Sequence, residues 1–229
     1  MDRLSCTLSV VVVSFEGQNA RAAGKVSTGQ DHRIGECNVP PSNYREQDFE
    51  EHIEQHLLSS GYHRSEPSAY DRELCLIPDE VFRFLQESQP EELDKLQRHY
   101  GESLQSKLCG RLAAVLRQRG TLDVLRKGFK DHGAKFSMAF FKPSSGMNPA
   151  HEQLYRANRF VVIRQLKYSR RSENSIDMAV FLNGLPILTA ELKNSLTGQF
   201  VENAVKQYQN DRLPNGEPLL AYQRCLVHF

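Results

Sequence analysis

Apolar residues in the first half of the chain recur at helical spacing. Phe49, Ile53 and Leu57 follow one another at four-residue steps with glutamate and histidine between them, which predicts an amphipathic helix ending near Gly61. A longer stripe with the same spacing consists of Leu104, Leu108, Leu112 and Leu116. We therefore predict a helical block over residues 78–128, which Pro and Gly at positions 90, 101 and 120 divide into three or four helices.

The spacing changes from helical to extended after residue 133. Four short segments rich in β-branched and aromatic residues are predicted to be strands: residues 136–141, 160–168, 176–182 and 186–192. Asn148-Pro149 is expected to open a short helix before the second of them, since proline suits the first helical turn. Asn183-Gly184 separates the last two, and because both residues accept the positive φ of a type I′ turn, the pair predicts a hairpin.

These elements divide the chain into a leader and one domain. Residues 1–42 are expected to be a poorly ordered leader or linker; the apolar run at 8–15 also resembles a secretory signal, but it is short and interrupted by serines. Residues 43–229 are expected to form the domain, with a helical insertion at about 78–130. The final apolar segment, 219–229, stops abruptly, and we expect the sequence to be part of a longer polypeptide.

Composition removes several classes of function. Hydrophobic residues make up 39% and charged residues 25%, and 29 Lys and Arg offset 28 Asp and Glu to a net charge of +1, which excludes a generally basic protein that coats nucleic acid. Five scattered cysteines without CxxC, and eight histidines without HExxH, argue against a disulfide scaffold or structural zinc site and favour a reducing, cytoplasmic setting. No apolar run approaches the ~18 residues of a membrane span, so no membrane partner is expected.

Charged residues in the predicted hairpin are the candidates for chemistry. Asp177 lies near the start of one strand, and Glu191 and Lys193 lie near the end of the next. Alternation puts Glu191 and Lys193 on one face. An offset of one residue, or a bulge, would make Asp177 and Glu191 cross-strand neighbours.

Two carboxylates at that distance repel each other unless a cation lies between them, and Mg²⁺ prefers such oxygen ligands. A nearby lysine can orient water or stabilise negative charge on a phosphate, and together these groups would suit phosphodiester hydrolysis. From the spacing alone, a surface salt bridge between Lys193 and either acid is the open alternative.

Short motifs in the second half of the chain resemble a known family. They include Asn158-Arg159-Phe160, Arg164-Gln165, Ser175-Ile176-Asp177, Phe181-Leu182-Asn183-Gly184-Leu185-Pro186, Glu191-Leu192-Lys193-Asn194, Leu196-Thr197-Gly198-Gln199 and the segment 224–229. Through them the chain resembles the amino-terminal nuclease domain of the restriction (R) subunit of type I restriction-modification enzymes. The resemblance is dense from about residue 148 to the end, extends over residues 45–142 and does not cover residues 1–42.

The resemblance implies a PD-(D/E)xK nuclease, an α/β restriction-endonuclease-like fold in which helices flank a mixed central β-sheet. It implies that Asp177 and Glu191 bind Mg²⁺, for which Mn²⁺ can substitute, and that Lys193 is the catalytic lysine. The carbonyl of Leu192 is a further candidate ligand, because the side chain of this intervening residue points away. Ile176 replaces the proline that often precedes the aspartate in such nucleases.

A glutamate on the first helix is also used by related nucleases. Glu50 occupies the matching place and is therefore a further catalytic candidate. The alternative is a solvated helix carboxylate, like Glu51 or Glu54.

Many relatives carry a Gln-x-x-x-Tyr motif on the helix after the lysine, predicted here at about residues 199–211. Gln207 and Tyr208 are adjacent instead, with Ala204 four residues before the tyrosine. The strict motif is therefore absent, and DNA contact by Gln207 and Tyr208 is an open expectation.

Basic residues around the hairpin are candidates for contact with the DNA backbone. They are Arg164, Lys167, Arg170, Arg171, Lys206 and Arg212. Such a group can neutralise several phosphates and give salt-sensitive affinity that is independent of sequence. Solvated charges on a strand end and a helix face are the alternative.

The resemblance implies a type I site-specific deoxyribonuclease, of which this chain is the endonuclease domain acting on double-stranded DNA. In that family a specificity subunit recognises the DNA sequence, a modification (methyltransferase) subunit methylates it, and helicase-like domains of the R chain use ATP. This chain has no GxxxxGK[ST] phosphate loop. ATP is therefore expected to act only in the full-length subunit.

Two other functions stay open. One is a non-catalytic DNA-binding or subunit-docking module that retains the nuclease fold, for which residues 78–128 supply a helical surface; the intact Asp177, Glu191 and Lys193 argue against it. The other is a stand-alone, structure-specific nuclease, which the abrupt end of the sequence disfavours.

Overall fold

The computed structural model describes residues 46–144, 147–192, 206 and 216–229. Its helices are α1 (Glu46–Ser59), α2 (Pro78–Ser88), α3 (Pro90–Tyr100), α4 (Leu104–Arg119), α5 (Thr121–Lys127) and α6 (Pro149–Arg156). Its strands are β1 (His63–Arg64), β2 (Phe129–Asp131), β3 (Ala134–Phe136), β4 (Phe160–Lys167), β5 (Ser175–Leu182), β6 (Leu185–Ala190) and β7 (Val227–His228). The leader predicted for residues 1–42 lies outside the described residues. None of the helices described is both long and apolar enough to cross a membrane.

A five-stranded mixed sheet in the order β1-β4-β5-β6-β7 forms the centre of the fold. β4, β5 and β6 are antiparallel neighbours, and β1 and β7 pair in parallel at the edges. Alternate residues of β4 lie on opposite faces of the sheet. Val161 and Ile163 belong to one buried cluster, and Val162 belongs to another. Ile53 and Leu57 of α1 pack against this second cluster. The predicted mixed sheet flanked by helices is confirmed.

The predicted hairpin joins β5 to β6 at the middle of this sheet. Asn183 and Gly184 have φ values of 51° and 81°, as a type I′ turn requires. The Asn183 side chain accepts a hydrogen bond from the Arg159 N–H at 2.7 Å and donates one to the Met138 carbonyl at 3.0 Å. The turn is therefore tied to two other segments as well as closing the hairpin.

A helical lobe formed by α2 to α5 and the β2–β3 hairpin packs at the turn end of the β5–β6 hairpin. The lobe has its own buried core, which Leu185 of β6 joins. A Cβ atom on Gly184 would lie 2.7 Å from the Ile77 carbonyl oxygen and 2.8 Å from the Val81 nitrogen, so only glycine fits this contact. The predicted helical block is confirmed, with its four helices separated where proline and glycine occur.

The strand predicted for residues 136–141 is wrong, because β3 ends at Phe136. The side-chain amide of Gln89 bonds both the N–H and the carbonyl of Ser137, at 2.7 and 2.9 Å. The side-chain amide of Asn158 does the same for Phe140, at 3.1 and 2.6 Å. These backbone groups are satisfied by side chains distant in sequence, and no neighbouring strand is needed.

Candidate active site

The predicted acidic residues lie at the end of the sheet opposite the helical lobe, where β5 begins and β6 ends. The pairing of β5 with β6 shifts register between Val180 and Phe181, and beyond this bulge Met178 pairs with Ala190. Continuing the register by one residue sets Asp177 opposite Glu191. The backbone N–H of Leu192 donates to Asp177 Oδ2 at 2.7 Å, which holds the two strand ends together. The bulge expected from the spacing is thus present.

Helix α1 brings a third carboxylate to this end of the sheet. Glu50 is only 2% exposed, so the solvated alternative for this residue is wrong. Gln165 of β4 donates from Nε2 to Glu50 Oε1 at 2.9 Å and to Asp177 Oδ1 at 3.4 Å. One amide group therefore links the α1 carboxylate to the β5 carboxylate.

A network of charges extends from Glu50 along α1. Glu54, one helical turn later, is 1% exposed and binds Arg64 of β1 through both carboxylate oxygens. Arg164 of β4 lies between the two glutamates, with Nε 3.4 Å from Glu50 Oε2 and Nη1 3.4 Å from Glu54 Oε2. The expectation that Glu54 is solvated is wrong, because both glutamates occupy the face of α1 that packs on the sheet.

Burial is the main reason why the pKa of Glu50 lies above its ordinary value. The negative charge of Asp177 raises this pKa further, while the hydrogen bond from Gln165 and the positive charge of Arg164 lower it without cancelling the rise. The ionised form of Glu50 is thus disfavoured in the folded chain. A cation beside Glu50 and Asp177 would reverse that balance.

The donor set at this sheet end suits Mg²⁺, which usually binds one or two protein carboxylates and keeps several waters. The linked pair of Glu50 and Asp177 meets that requirement, and Glu191, only 3% exposed, follows directly on β6. Within the described residues, however, no three histidine, cysteine, aspartate or glutamate side chains gather closely enough to form a ready-made metal cluster.

Glu50→Gln should raise the melting temperature of the cation-free chain at pH 7 by a few degrees. Between the ordinary pKa of 4.5 and the raised folded value, the native state binds more protons than the unfolded state, so stability falls as pH rises through that interval. Glutamine avoids this loss. The advantage of the variant should therefore shrink below about pH 4.5.

Thermal unfolding in EDTA between pH 4 and pH 8 measures this difference. The exposed neighbour Glu51→Gln is the matched control and should leave the melting temperature unchanged. A Glu50→Gln chain less stable than wild type at pH 7 would contradict the electrostatic interpretation.

Comparison with known families places this site in context. Residues 43–228 match the family model described as type I restriction enzyme R protein N terminus. The chain belongs to this family. The resemblance read from the sequence motifs is therefore confirmed, although searches among curated proteins and among solved structures found no match.

Several basic residues of this R-protein domain lie at the same sheet end as the acids, and some of them form ion pairs with carboxylates of this chain. Lys167 pairs with Glu173 at 2.6 Å, and Arg170 pairs with Glu73 at 2.8 Å. Arg171 is exposed beside them. DNA contact by Arg164, Lys167, Arg170 and Arg171 stays a prediction, and for the paired residues it would require phosphates to replace these carboxylates.

The remaining candidates fall at or beyond the edge of what the structure describes. Lys193, Gln207, Tyr208 and Arg212 lie outside the described residues, and their roles stay predictions. Lys206 is helical and exposed. At Leu192 the structure assigns a contact to the N–H, whereas metal binding by the carbonyl stays a prediction.

Three residues of the R-protein site were missed by sequence reasoning: Glu54, Arg64 and Gln165. Glu54 carried a usable signal, since it follows Glu50 by four residues and must share its helix face. Arg64 carried none, and Gln165 stood only in the Arg164-Gln165 motif of the family resemblance, with no role assigned to it. Both roles depend on the packing of α1 against β1 and β4.

Proposed function

We propose that this R-protein domain is the Mg²⁺-dependent endonuclease domain of a type I restriction R subunit and hydrolyses phosphodiester bonds in double-stranded DNA. The observation that supports this most is the convergence at one sheet end. Asp177 is held by the Leu192 N–H, linked through Gln165 to a buried Glu50, and set opposite Glu191. Glu50, Glu54 and Glu191 are each at most 3% exposed, and burying carboxylates is costly, which favours a functional role for them.

Asp177 and Glu191 would hold the cation, with Glu50 and the Leu192 carbonyl as further oxygen donors. A bound Mg²⁺ supplies charge neutralisation at the phosphate and lowers the pKa of a coordinated water. Lys193, two residues after Glu191, would orient the attacking water or stabilise charge that develops on the phosphate oxygens. Arg164 holds Glu50 and Glu54 in place from the strand side.

Substrate binding would rest on phosphate contacts. Arg170 and Arg171 lie in the loop between β4 and β5, at the sheet end where β5 begins, and Lys206, Gln207, Tyr208 and Arg212 follow the hairpin in sequence. Phosphate contacts position DNA without reading its sequence. We therefore propose that sequence choice and methylation belong to specificity and modification subunits, that ATP is used by other domains of the full-length R subunit, and that the assembly works in the cytoplasm.

One observation favours the alternative of a non-catalytic DNA-binding or docking module: the described residues contain no ready-made cluster of three potential metal ligands. Such a module would use the surface of the helical lobe and leave DNA cleavage to another part of the complex.

A reconstituted complex separates these functions. With the complete R subunit, its partner subunits, ATP and Mg²⁺, supercoiled plasmid should be cut, and Glu191→Gln should reduce cutting by at least about 10²-fold through loss of a metal ligand. ATP turnover, measured in parallel, should persist in this variant. The exposed α2 residue Glu87 supplies the control Glu87→Gln, which should cut like wild type. Full cutting by Glu191→Gln would support the docking module instead.

A further inference from the structure

Gln165 has a backbone conformation that is unusual for a strand residue. Its φ is 49°, in the left-handed region, although β4 pairs regularly with β5 on both sides of it, at Arg164 with Met178 and at Leu166 with Ile176. A residue other than glycine in this conformation is strained, and such strain persists where the surrounding structure holds the residue in place. The conformation therefore points to the side chain as the group being positioned.

The carboxamide of Gln165 lies between two carboxylates. Its Nε2 has two hydrogens, and its two acceptors are Glu50 Oε1 at 2.9 Å and Asp177 Oδ1 at 3.4 Å. At the other end of the amide, Oε1 accepts from the Ser175 hydroxyl at 3.2 Å. The opposite orientation would aim the amide oxygen at two carboxylates, so the donors must face the acids.

An NH₂ group in this position reduces the repulsion between the two carboxylates, an effect that a cation would produce more strongly. It presents positive hydrogens to two like charges that otherwise repel across a partly buried site. Asp177 Oδ2 is meanwhile occupied by the Leu192 N–H, so the Gln165 bond holds the oxygen that remains. A cation that enters between Glu50 and Asp177 must take over at least one oxygen from Nε2.

We propose, on the basis of the cation site proposed above, that Gln165 is a positioning residue that substitutes for the divalent cation whenever none is bound. It keeps the Glu50 and Asp177 carboxylates together before the cation arrives and gives up a hydrogen bond when the cation binds. Gln165 therefore stabilises the cation-free chain more than the loaded chain. By linkage, removing the amide must increase cation affinity even though it lowers stability.

Mn²⁺ titration of the 229-residue chain at pH 8, by calorimetry and by thermal unfolding with and without Mn²⁺, tests this coupling. Gln165→Leu should melt at a lower temperature than wild type without Mn²⁺, yet bind Mn²⁺ about tenfold more tightly, the usual weight of one hydrogen bond to a charged group. Ser175→Ala, which frees the amide oxygen, should shift the Kd in the same direction by about two- to threefold.

Asn183→Gly supplies the matched control, because it removes a buried amide at a residue with positive φ at the far end of the hairpin. It should lower stability and leave the Kd for Mn²⁺ unchanged. A Gln165→Leu chain that binds Mn²⁺ as wild type does, or more weakly, would overturn the proposal. Should that chain not fold, an unchanged Kd in Ser175→Ala would overturn it instead. Wild-type chain that binds no Mn²⁺ would refute the cation site itself, and this inference with it.

Discussion

Replacing Lys193 with alanine should lower the rate of DNA cleavage by about 10²–10³-fold while leaving cation and DNA binding nearly intact. The lysine follows Glu191 by two residues, so an extended backbone would return its side chain to the face that carries the acid. Its ammonium group would act on water or on the charge that develops at the phosphate. The loss would therefore appear in the chemical step and leave affinity unaffected.

Plasmid cleavage by the reconstituted complex, with ATP consumption measured in parallel, checks this expectation. Lys95→Ala is the matched control: Lys95 pairs with Glu92 on the surface of the helical lobe, far along the chain from the acids. Lost cleavage with retained ATP turnover identifies Lys193 as a catalytic residue. Unchanged cleavage by Lys193→Ala would remove the nuclease function from this domain.

Asp177→Asn should abolish the heat of Mn²⁺ binding and lower cleavage by about 10³-fold or more, because the ligand loses its charge. Asparagine is nearly the same size and can still accept the Leu192 N–H, so the hairpin end should keep its shape. The fold and the site are thereby tested separately.

Calorimetric titration with Mn²⁺ and circular dichroism together measure both effects. The exposed Glu173→Gln, close to β5 but outside the acidic group, should bind Mn²⁺ normally. Equal Mn²⁺ binding by wild type and Asp177→Asn would remove Asp177 from the site.

The hairpin and its acids were predictable because their determinants are local. Asn183-Gly184 specifies its turn through the φ values that the two residues tolerate. Once the turn is set, period-two alternation and a single bulge carry the register to Asp177 and Glu191. The four helices of the lobe followed in the same way from leucine spacing and from proline and glycine at their ends.

What could not be predicted depends on contacts between distant segments. The segment 136–141 has the composition of a strand. The side-chain amides of Gln89 and Asn158 nevertheless satisfy the backbone groups of Ser137 and Phe140. The positive φ of Gln165 likewise has no local cause, since glutamine has no preference for that conformation. The Gln165 side chain binds Glu50 of α1, a contact that no pattern within β4 reveals.

The site and the helical lobe lie at opposite ends of the β5–β6 hairpin. Gly184 meets α2 at the turn, while Asp177 and Leu192 meet at the open end. Substitutions in the lobe should therefore change stability without changing cation affinity. Substitutions around Glu50, Gln165 and Asp177 should change cation affinity.

Anomalous diffraction from crystals of the chain soaked in Mn²⁺ tests the cation site most directly. We expect one strong peak at the open end of the hairpin, within coordination distance of Asp177 and Glu191 carboxylate oxygens and on the side that Glu50 faces. The same crystals of Asp177→Asn should lack it. A peak elsewhere on the chain, or no peak in crystals of the wild type, would contradict the assignment of this sheet end as the catalytic centre.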